Sequence, residues 1–249
     1  SVTDDHVVLV EPPLSVSLWR ALAPTTEGFL DLLSWQPERG SRIVVLNRDG
    51  GDVRVDVTVE SMFVFHHVNA YHDDGTVVLD LIDFPDADIL DAMALDALDG
   101  PGGFPDVPDG RLARYRIDLG TGAVTRERLY AGGVELPRVP RAARGRRHRY
   151  AYAQTTDRGG ANGIVKVDCE EGSAVEWSEQ SMYVEEPVPV QRPDGDTEDE
   201  GVVLATAVDV EDERSALLVF DAATLEERAR AILPHAEPFG FHGRYFPEL

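Results

Sequence analysis

Histidines are the residues of this chain whose type and setting point most directly to chemistry. Two of the seven have unusual contexts: His66 opens an adjacent pair in FHHVNAYH (65–72), and His242 is flanked by glycine in PFGFHGRYFP (238–247). Neutral imidazole is a common ligand of iron, zinc and copper. The two histidines lie 176 residues apart, so their spacing forms no local metal-binding motif. Taken alone, each is better explained as an ordinary hydrogen-bonded side chain.

Other common catalytic arrangements have little support. The single cysteine, Cys169, excludes an intramolecular disulfide and any multi-cysteine zinc or iron–sulfur site. Ser181 and Ser215 belong to no recognisable Ser-His-Asp pattern and are better explained as strand or turn residues. A metal site in this chain must therefore be built from histidines and carboxylates.

The charge balance is strongly acidic. The chain has 46 acidic and 23 basic residues, a formal net charge of -23, and one lysine, Lys166. A carboxylate-rich surface that nearly lacks lysine stays hydrated in concentrated salt, which predicts a halophilic protein. The one basic cluster, the six arginines of 138–149, is best explained as a loop paired with carboxylates. We therefore expect no nucleic-acid partner, because a polyanion requires a basic stripe.

Short β-branched runs, bounded by Gly, Asp and Pro, predict a nearly all-β chain. The eight predicted strands are 6–10, 42–47, 53–59, 76–83, 112–118, 163–168, 201–209 and 215–221. One amphipathic helix is predicted at about 86–98, where the apolar side chains fall on one face. No apolar run approaches the about 20 residues of a membrane span, and the N-terminus lacks the features of a secretion signal.

A repeat of strand, Asp, short turn and strand narrows the architecture. Its Asp residues are Asp118, Asp168 and Asp221, and a degraded fourth copy lies at 45–50. A period near 50 residues is typical of β-propeller blades, and an Asp that closes a strand can bind the amides of the turn. The chain thus holds about four blades. A β-sandwich also has many short strands, so the period alone leaves both architectures open.

Eight segments, in chain order, resemble the carotenoid cleavage oxygenase family, which includes carotenoid dioxygenases and the retinoid isomerase of the retinal pigment epithelium. They are FVFHHVNAYH (63–72), TVVLDLIDFPD (76–86), ELPRVP (135–140), HRYAYA (148–153), YVEEPVPVQRP (183–193), EDEGVVLATAVD (198–209), SALLVFDAATLEERARAILP (215–234) and PFGFHGRYFP (238–247). The resemblance implies a seven-bladed β-propeller. It also implies that 1–249 is a single domain, the C-terminal part of that propeller.

The resemblance further implies a non-haem Fe(II) on the propeller axis, held by four histidines. The third and fourth of these match His66 and His242, whereas His67 is a neighbour and not a ligand. Glutamates that hold the ligands from behind match Glu135 and Glu186. Such carboxylates fix the tautomer and orientation of a metal-binding imidazole. Without the resemblance, both glutamates would be interpreted as surface acids.

Two departures from the family pattern affect what is expected of this chain. His72 stands where the family usually has an acidic residue. No residue of this sequence matches the family's first two iron histidines, so the chain resembles the C-terminal part, a little over half, of a family member. The expected partner is the N-terminal half of the same propeller. Two imidazoles are too few to hold Fe(II) firmly. We therefore expect this segment alone to bind iron weakly and to be inactive.

For the intact protein, the resemblance implies cleavage of a carotenoid or apocarotenoid double bond by O₂, giving carbonyl products such as retinal. We expect a cytoplasmic protein, and peripheral membrane contact stays open, since family members draw apolar substrates from membranes. Retinoid isomerisation or stilbene-type cleavage on the same iron scaffold is an alternative. A non-catalytic propeller that serves as a binding or assembly module is another.

Overall fold

The computed structural model describes residues 1–17, 19, 28–94 and 108–247. The strands bounded within these residues are β1 (His6–Glu11), β2 (Leu14–Val16), β3 (Leu33–Trp35), β4 (Ser41–Asn47), β5 (Val53–Val59), β6 (Phe63–Asp73), β7 (Thr76–Phe84), β8 (Arg111–Asp118), β9 (Val124–Arg128), β10 (Val134–Arg138), β11 (Tyr150–Thr155), β12 (Gly163–Asp168), β13 (Ala174–Ser178), β14 (Met182–Val184), β15 (Val188–Gln191), β16 (Gly201–Asp209), β17 (Arg214–Asp221) and β18 (Glu227–Ile232). The bounded helices are α1 (Asp88–Ala92) and the 3-10 helices Leu30–Leu32, Pro37–Arg39 and Arg141–Ala143. All eight predicted strands are confirmed to within one residue at each end.

The strands form successive antiparallel sheets along the chain. Their orders are β1-β4-β5, then β6-β7-β8-β9, then β10-β11-β12-β13, and then β14-β16-β17-β18 with β15 also paired to β16. A separate pair, β2-β3, lies within the connection from β1 to β4. Four-stranded sheets in consecutive up-and-down order are the blades of a β-propeller. The described residues thus form four blade-like sheets, as the repeat predicts.

The core lies between neighbouring sheets. One buried cluster joins the first and second sheets, a second joins the second and third, and a third joins the third and fourth. Their largest fully buried side chains include Ile43, Leu79, Phe84, Tyr152 and Phe220. The second and third sheets therefore bury apolar side chains on both faces, and the first and fourth on the face turned toward their neighbour. This is the packing of blades around a propeller axis and not that of two facing sheets in a sandwich.

The repeated aspartates close the penultimate strand of their sheets. In each copy Oδ1 of the Asp accepts hydrogen bonds of 2.7–3.0 Å from the amides two and three residues further along. The residue four positions on has positive φ, at Gly122, Gly172 and Leu225. Asn47 begins the same turn in the first sheet, and Gly51 has the matching positive φ. All four copies therefore share the backbone hydrogen bonds of this hairpin, and the degraded copy differs in a second positive φ, at Gly50.

The helix is shorter than the sequence predicts. Within the described residues α1 ends at Ala92, and residues 95–98 of the predicted helix lie outside them. Asp91 near its C-terminus, with no basic residue in the last turn, is unfavourable to the helix dipole. Ile89 is its buried contact with the core. None of the helices in the described part of the chain has the length and apolar character needed to cross a bilayer.

Candidate metal centre

Four side chains far apart in sequence meet at the inner end of the sheets. His66 lies on β6 and Glu135 on β10, the first strands of the second and third sheets. Glu186 follows β14, the first strand of the fourth sheet, by two residues. His242 belongs to the segment after β18. Neighbouring blades therefore bring together groups that no local spacing connects.

The four residues form two histidine–glutamate pairs in contact. His66 Nδ1 donates to Glu135 Oε2 at 2.6 Å, and His242 Nδ1 donates to Glu186 Oε1 at 2.9 Å. The two imidazole rings are 5.2 Å apart between centroids and nearly perpendicular, at 82°. An ionised carboxylate can only accept, so each Nδ1 carries the proton and each Nε2 keeps its lone pair. This is the tautomer that a metal-binding histidine needs.

The electrostatic setting of the pairs is acidic and partly buried. The Glu186 side chain is 3% exposed and that of Glu135 15%, against 27% for His66 and 54% for His242. The hydrogen bond to Glu135 raises the pKa of His66, although burial opposes the shift. Two carboxylates contact the histidines and one guanidinium, Arg138, contacts a carboxylate directly, while Arg144 lies further out within electrostatic range of Glu186. The two carboxylates that contact the imidazoles favour a cation there.

Irregular backbone positions the first pair. The pairing of β6 with β7 shifts register between Val64 and His67, which places a bulge at His66. On β10, Leu136 has φ of 49°, a left-handed conformation that costs a non-glycine residue about 1–2 kcal/mol. The Leu136 amide donates to Glu135 Oε2 at 2.6 Å, the same oxygen that His66 uses. Bulges and strained residues of this kind often aim side chains at functional sites.

Glu186 holds the second pair through both of its oxygens. While Oε1 accepts from His242, Oε2 accepts from the Gly243 amide at 2.8 Å and from Arg138 Nη2 at 2.7 Å. Arg138 Nη2 also reaches the Gly243 carbonyl at 3.2 Å. Sequence reasoning missed Arg138, which it grouped with the arginines of a surface loop. The signal available was its position three residues after Glu135 in ELPR.

The other arginines of that loop follow the sequence interpretation where the structure gives them partners. Arg147 contacts Glu170 and Arg149 contacts Glu171 at the surface, and Arg149 also contacts the buried Asp168. These are carboxylate pairs of a solvated loop and not a basic stripe.

The remaining histidines lie elsewhere. His67 points away from the pair, and its Nδ1 contacts the chain N-terminus at 3.2 Å. Burial, together with the positive N-terminus and His66, lowers its pKa to about 4. His148 is buried, with Nε2 3.0 Å from Asp80 Oδ2, and His235 is exposed beside Glu237. His72 lies near the far end of β6.

The donor set fits part of an iron site. Two neutral imidazoles with fixed tautomers suit ferrous iron better than they suit Mg²⁺ or Ca²⁺, which prefer oxygen. Two are fewer than such an ion needs, so His66 and His242 can supply only part of its coordination.

The sequence matches known proteins along its whole length. The profile of the family described as retinal pigment epithelial membrane protein matches residues 1–247. The carotenoid isomerooxygenase of Galleria mellonella is 35% identical, over 99% of this chain and 51% of that protein. Carotenoid cleavage dioxygenase 8 of Arabidopsis thaliana is 33% identical, over 100% of this chain and 46% of that protein.

A solved structure shows the same fold. The cobalt-substituted Synechocystis ACO matches with a TM-score of 0.86 and 27% identity, over 98% of this chain and 51% of that one. The chain thus spans about half the length of the relatives it matches. The profile match, the relatives and the blade-like sheets together show that this chain belongs to the carotenoid cleavage oxygenase family and forms part of its β-propeller.

Proposed function

We propose that the protein containing this chain is a non-haem Fe(II) dioxygenase that cleaves one double bond of a carotenoid or apocarotenoid. The observation that carries the proposal is the pair of touching imidazoles, each with Nδ1 held by a glutamate, of which Glu186 is buried and Glu135 partly buried. His66 and His242 would be two of the iron ligands. The rest of the coordination would come from the half of the propeller that lies outside this chain.

The reaction joins one C=C bond and one O₂ molecule into two C=O groups. Both atoms of O₂ enter the products, so no external reductant is required. Iron bound by imidazoles supplies the redox chemistry that lets O₂ react with a closed-shell polyene. The relative solved in a cobalt-substituted form supports a metal in this fold.

The residues of this chain hold ligands and shape the space beside them. Glu135 and Glu186 keep the proton on Nδ1 of each histidine and fix the orientation of its ring. Each Nε2 is then free to bind a metal. Phe65 is 40% exposed, contacts Phe63 and Phe84 edge to face, and lies 6.3 Å from the His66 ring. It would provide an apolar wall for a polyene next to the metal and would exclude water from that side.

A second candidate is cleavage coupled to double-bond isomerisation. The 35% identical relative named carotenoid isomerooxygenase favours it. Both reactions would use the same histidine–glutamate pairs. Product analysis separates them, because isomerisation changes the geometry of a product double bond and leaves its mass unchanged.

The proposal is tested by metal content and turnover in the longest chain that the gene encodes, purified in molar salt. We expect close to one iron per chain and conversion of a carotenoid or apocarotenoid to aldehydes or ketones. His242→Ala should lose both iron and turnover, whereas His235→Ala, at an exposed histidine beside Glu237, should lose neither. An iron-free long chain after anaerobic reconstitution would overturn the enzyme proposal and favour a non-catalytic binding propeller.

We further propose a cytoplasmic location with contact to a membrane surface. The substrate is apolar, and the segment 238–247 carries three phenylalanines, Phe239, Phe241 and Phe246. Co-flotation of the long chain with neutral phosphatidylcholine vesicles in molar salt is the measurement. Loss of flotation on Phe241→Ser would support the contact, and no flotation of the unaltered chain would contradict it.

A further inference from the structure

A second group of metal-ligating side chains lies where the first and second sheets meet. One donor atom each from Asp5, His6 and His72 lies within 4.8 Å of the other two. His6 begins β1, and His72 stands near the end of β6, six residues beyond His66. At about 3.3 Å per strand residue, this places the group roughly 20 Å from the iron-site candidate. It is therefore a separate feature of the same strand.

Within this group, His6 has a buried ring nitrogen without a hydrogen-bond partner among the described residues. The residue is 5% exposed, and the nitrogen is its Nδ1. A buried polar nitrogen normally has a partner, because leaving it unpaired is costly. The His6 and His72 rings meet edge to face with centroids 5.2 Å apart. Such a contact does not satisfy a ring nitrogen.

The histidines are chemically available to a cation. Burial lowers the pKa of His6, and neighbouring His72 and Arg54 add to the shift while Asp5 opposes it. A neutral imidazole is the form that binds metal. Among the described residues His72 has long polar contacts, 3.5 Å from Nδ1 to Asp5 Oδ2 and 3.3 Å from the Gly75 amide, which donates to Nε2. Its ring can therefore turn to present either nitrogen.

We propose that Asp5, His6 and His72 form a binding site for a divalent transition metal of the Zn²⁺ class, which ties β1 of the first sheet to β6 of the second. Two imidazoles and one carboxylate, with water in the fourth position, are a common tetrahedral Zn²⁺ set. Mg²⁺ and Ca²⁺ are excluded by the two nitrogen donors. The ion gives the buried His6 ring a partner, which its Nδ1 lacks among the described residues.

The dimensions suit a site that tightens on binding. Tetrahedral ligands at about 2.1 Å from Zn²⁺ lie roughly 3.4 Å from one another, so separations of up to 4.8 Å must shorten. The two outer ligands can move, because the Asp5 side chain is 66% exposed and that of His72 is 35% exposed. Arg54 is the nearby positive charge that opposes the cation. Asp5 neutralises part of that repulsion.

The test is a titration of the longest chain that the gene encodes with Zn²⁺ in the His66→Ala/His242→Ala background, which removes the two imidazoles that 1–249 contributes to the other site. We expect one equivalent to bind. At a hundredfold excess over Kd, the Tm should rise by about 5–10 °C. His72→Gln and Asp5→Asn, both at exposed positions that tolerate substitution, should weaken Zn²⁺ binding by about tenfold or more and abolish most of the rise in Tm.

His235→Gln is the matched control, since His235 is an exposed histidine beside a carboxylate, Glu237, and should leave Zn²⁺ binding unchanged. Binding that His72→Gln and Asp5→Asn leave unaltered, or no binding at all, would overturn the site. The background lacks both proposed iron ligands of this chain, so Zn²⁺ binding or its absence does not test the proposed oxygenase activity. Failure of the oxygenase proposal, in turn, does not decide whether this site binds Zn²⁺.

Discussion

The substitutions Glu135→Gln and Glu186→Gln should have different effects on the two histidine–glutamate pairs of the metal centre. Glu135 Oε2 accepts from His66 Nδ1 and from the Leu136 amide, while its buried Oε1 has no partner among the described residues. Glutamine there can keep its oxygen at Oε2 and place its NH₂ group at Oε1. The proton on His66 Nδ1 is then retained. Glu135→Gln should therefore preserve the ligand tautomer and lose mainly the charge.

Glu186 offers no such solution. Its Oε1 accepts from His242 Nδ1, and its Oε2 accepts from the Gly243 amide and Arg138. In Glu186→Gln the NH₂ group faces a donor whichever way the amide is placed. Either His242 must move its proton to Nε2, which blocks the metal-binding nitrogen, or the contacts of Gly243 and Arg138 are broken. The variant loses the orientation of the ligand as well as the charge.

The expected magnitudes follow from this difference. Loss of a carboxylate behind a ligand histidine typically weakens metal binding by about 10–100-fold, or about 1.4–2.8 kcal/mol. Glu135→Gln belongs at the lower end, near tenfold, and Glu186→Gln at the upper end, near a hundredfold. The two differ by about 1.4 kcal/mol.

The assay is anaerobic competition for Fe(II) between a chromogenic chelator and the longest chain that the gene encodes. Glu237→Gln is the control, because Glu237 pairs with exposed His235 at 2.5 Å and touches no other histidine in the described structure. It should bind Fe(II) as the unaltered chain does. Equal losses for the two test variants, a larger loss for Glu135→Gln, or losses no greater than the control would each refute the reasoning.

Three further predictions concern the packing that positions the site. Arg114 binds both carboxylate oxygens of Asp80 in the core, so Asp80→Asn should lower the free energy of unfolding by about 3–5 kcal/mol in urea denaturation. Asp56→Asn, at an exposed ion pair, is the control and should change it little. Burial alone would raise the pKa of Asp80, but Arg114 and His148 hold it below its usual value. The ionised carboxylate therefore stabilises the fold fully above about pH 4, and this stabilisation is lost as the pH falls further. The free energy of unfolding should drop less between pH 7 and pH 3 in Asp80→Asn than in the unaltered chain. Gly110→Ala should lower the Tm measurably, by overpacking worth about 1–3 kcal/mol, because its Cβ would lie 2.6 Å from a backbone carbonyl oxygen.

The blades could be predicted because their signals are local. Asp118, Asp168 and Asp221 each close a strand and bind the turn that follows, so the repeat in the sequence is the hairpin itself. The period then implies the sheets. The helix is shorter than predicted because its regular apolar spacing carries no information about its end, where Asp91 is unfavourable to the dipole and no basic residue offsets it.

The site could not be predicted from residue types and spacing. Glu135 and Glu186 are two of 46 acids, and only the family resemblance singled them out. Arg138 was hidden within a cluster of surface arginines. Asp80 offered a signal that was not used, because a carboxylate inside the apolar run TVVLDLIDF requires a buried cationic partner. That partner, Arg114, lies on the adjacent strand β8 and follows from the register alone.

The C-terminal segment 238–247 is held in place by the same hydrogen bonds that position His242 in the metal centre. His242 lies beyond β18, outside any sheet among the described residues, and hydrogen bonds attach its surroundings to the inner end of β14. Glu186 binds His242 and Gly243, and neighbouring Glu185 accepts from the Gly240 amide. The contacts that set the tautomer of the histidine are thus the contacts that hold its segment in place. A cation that binds both imidazoles must therefore also stabilise the segment, and Glu186→Gln should expose 238–247 to protease as it weakens metal binding.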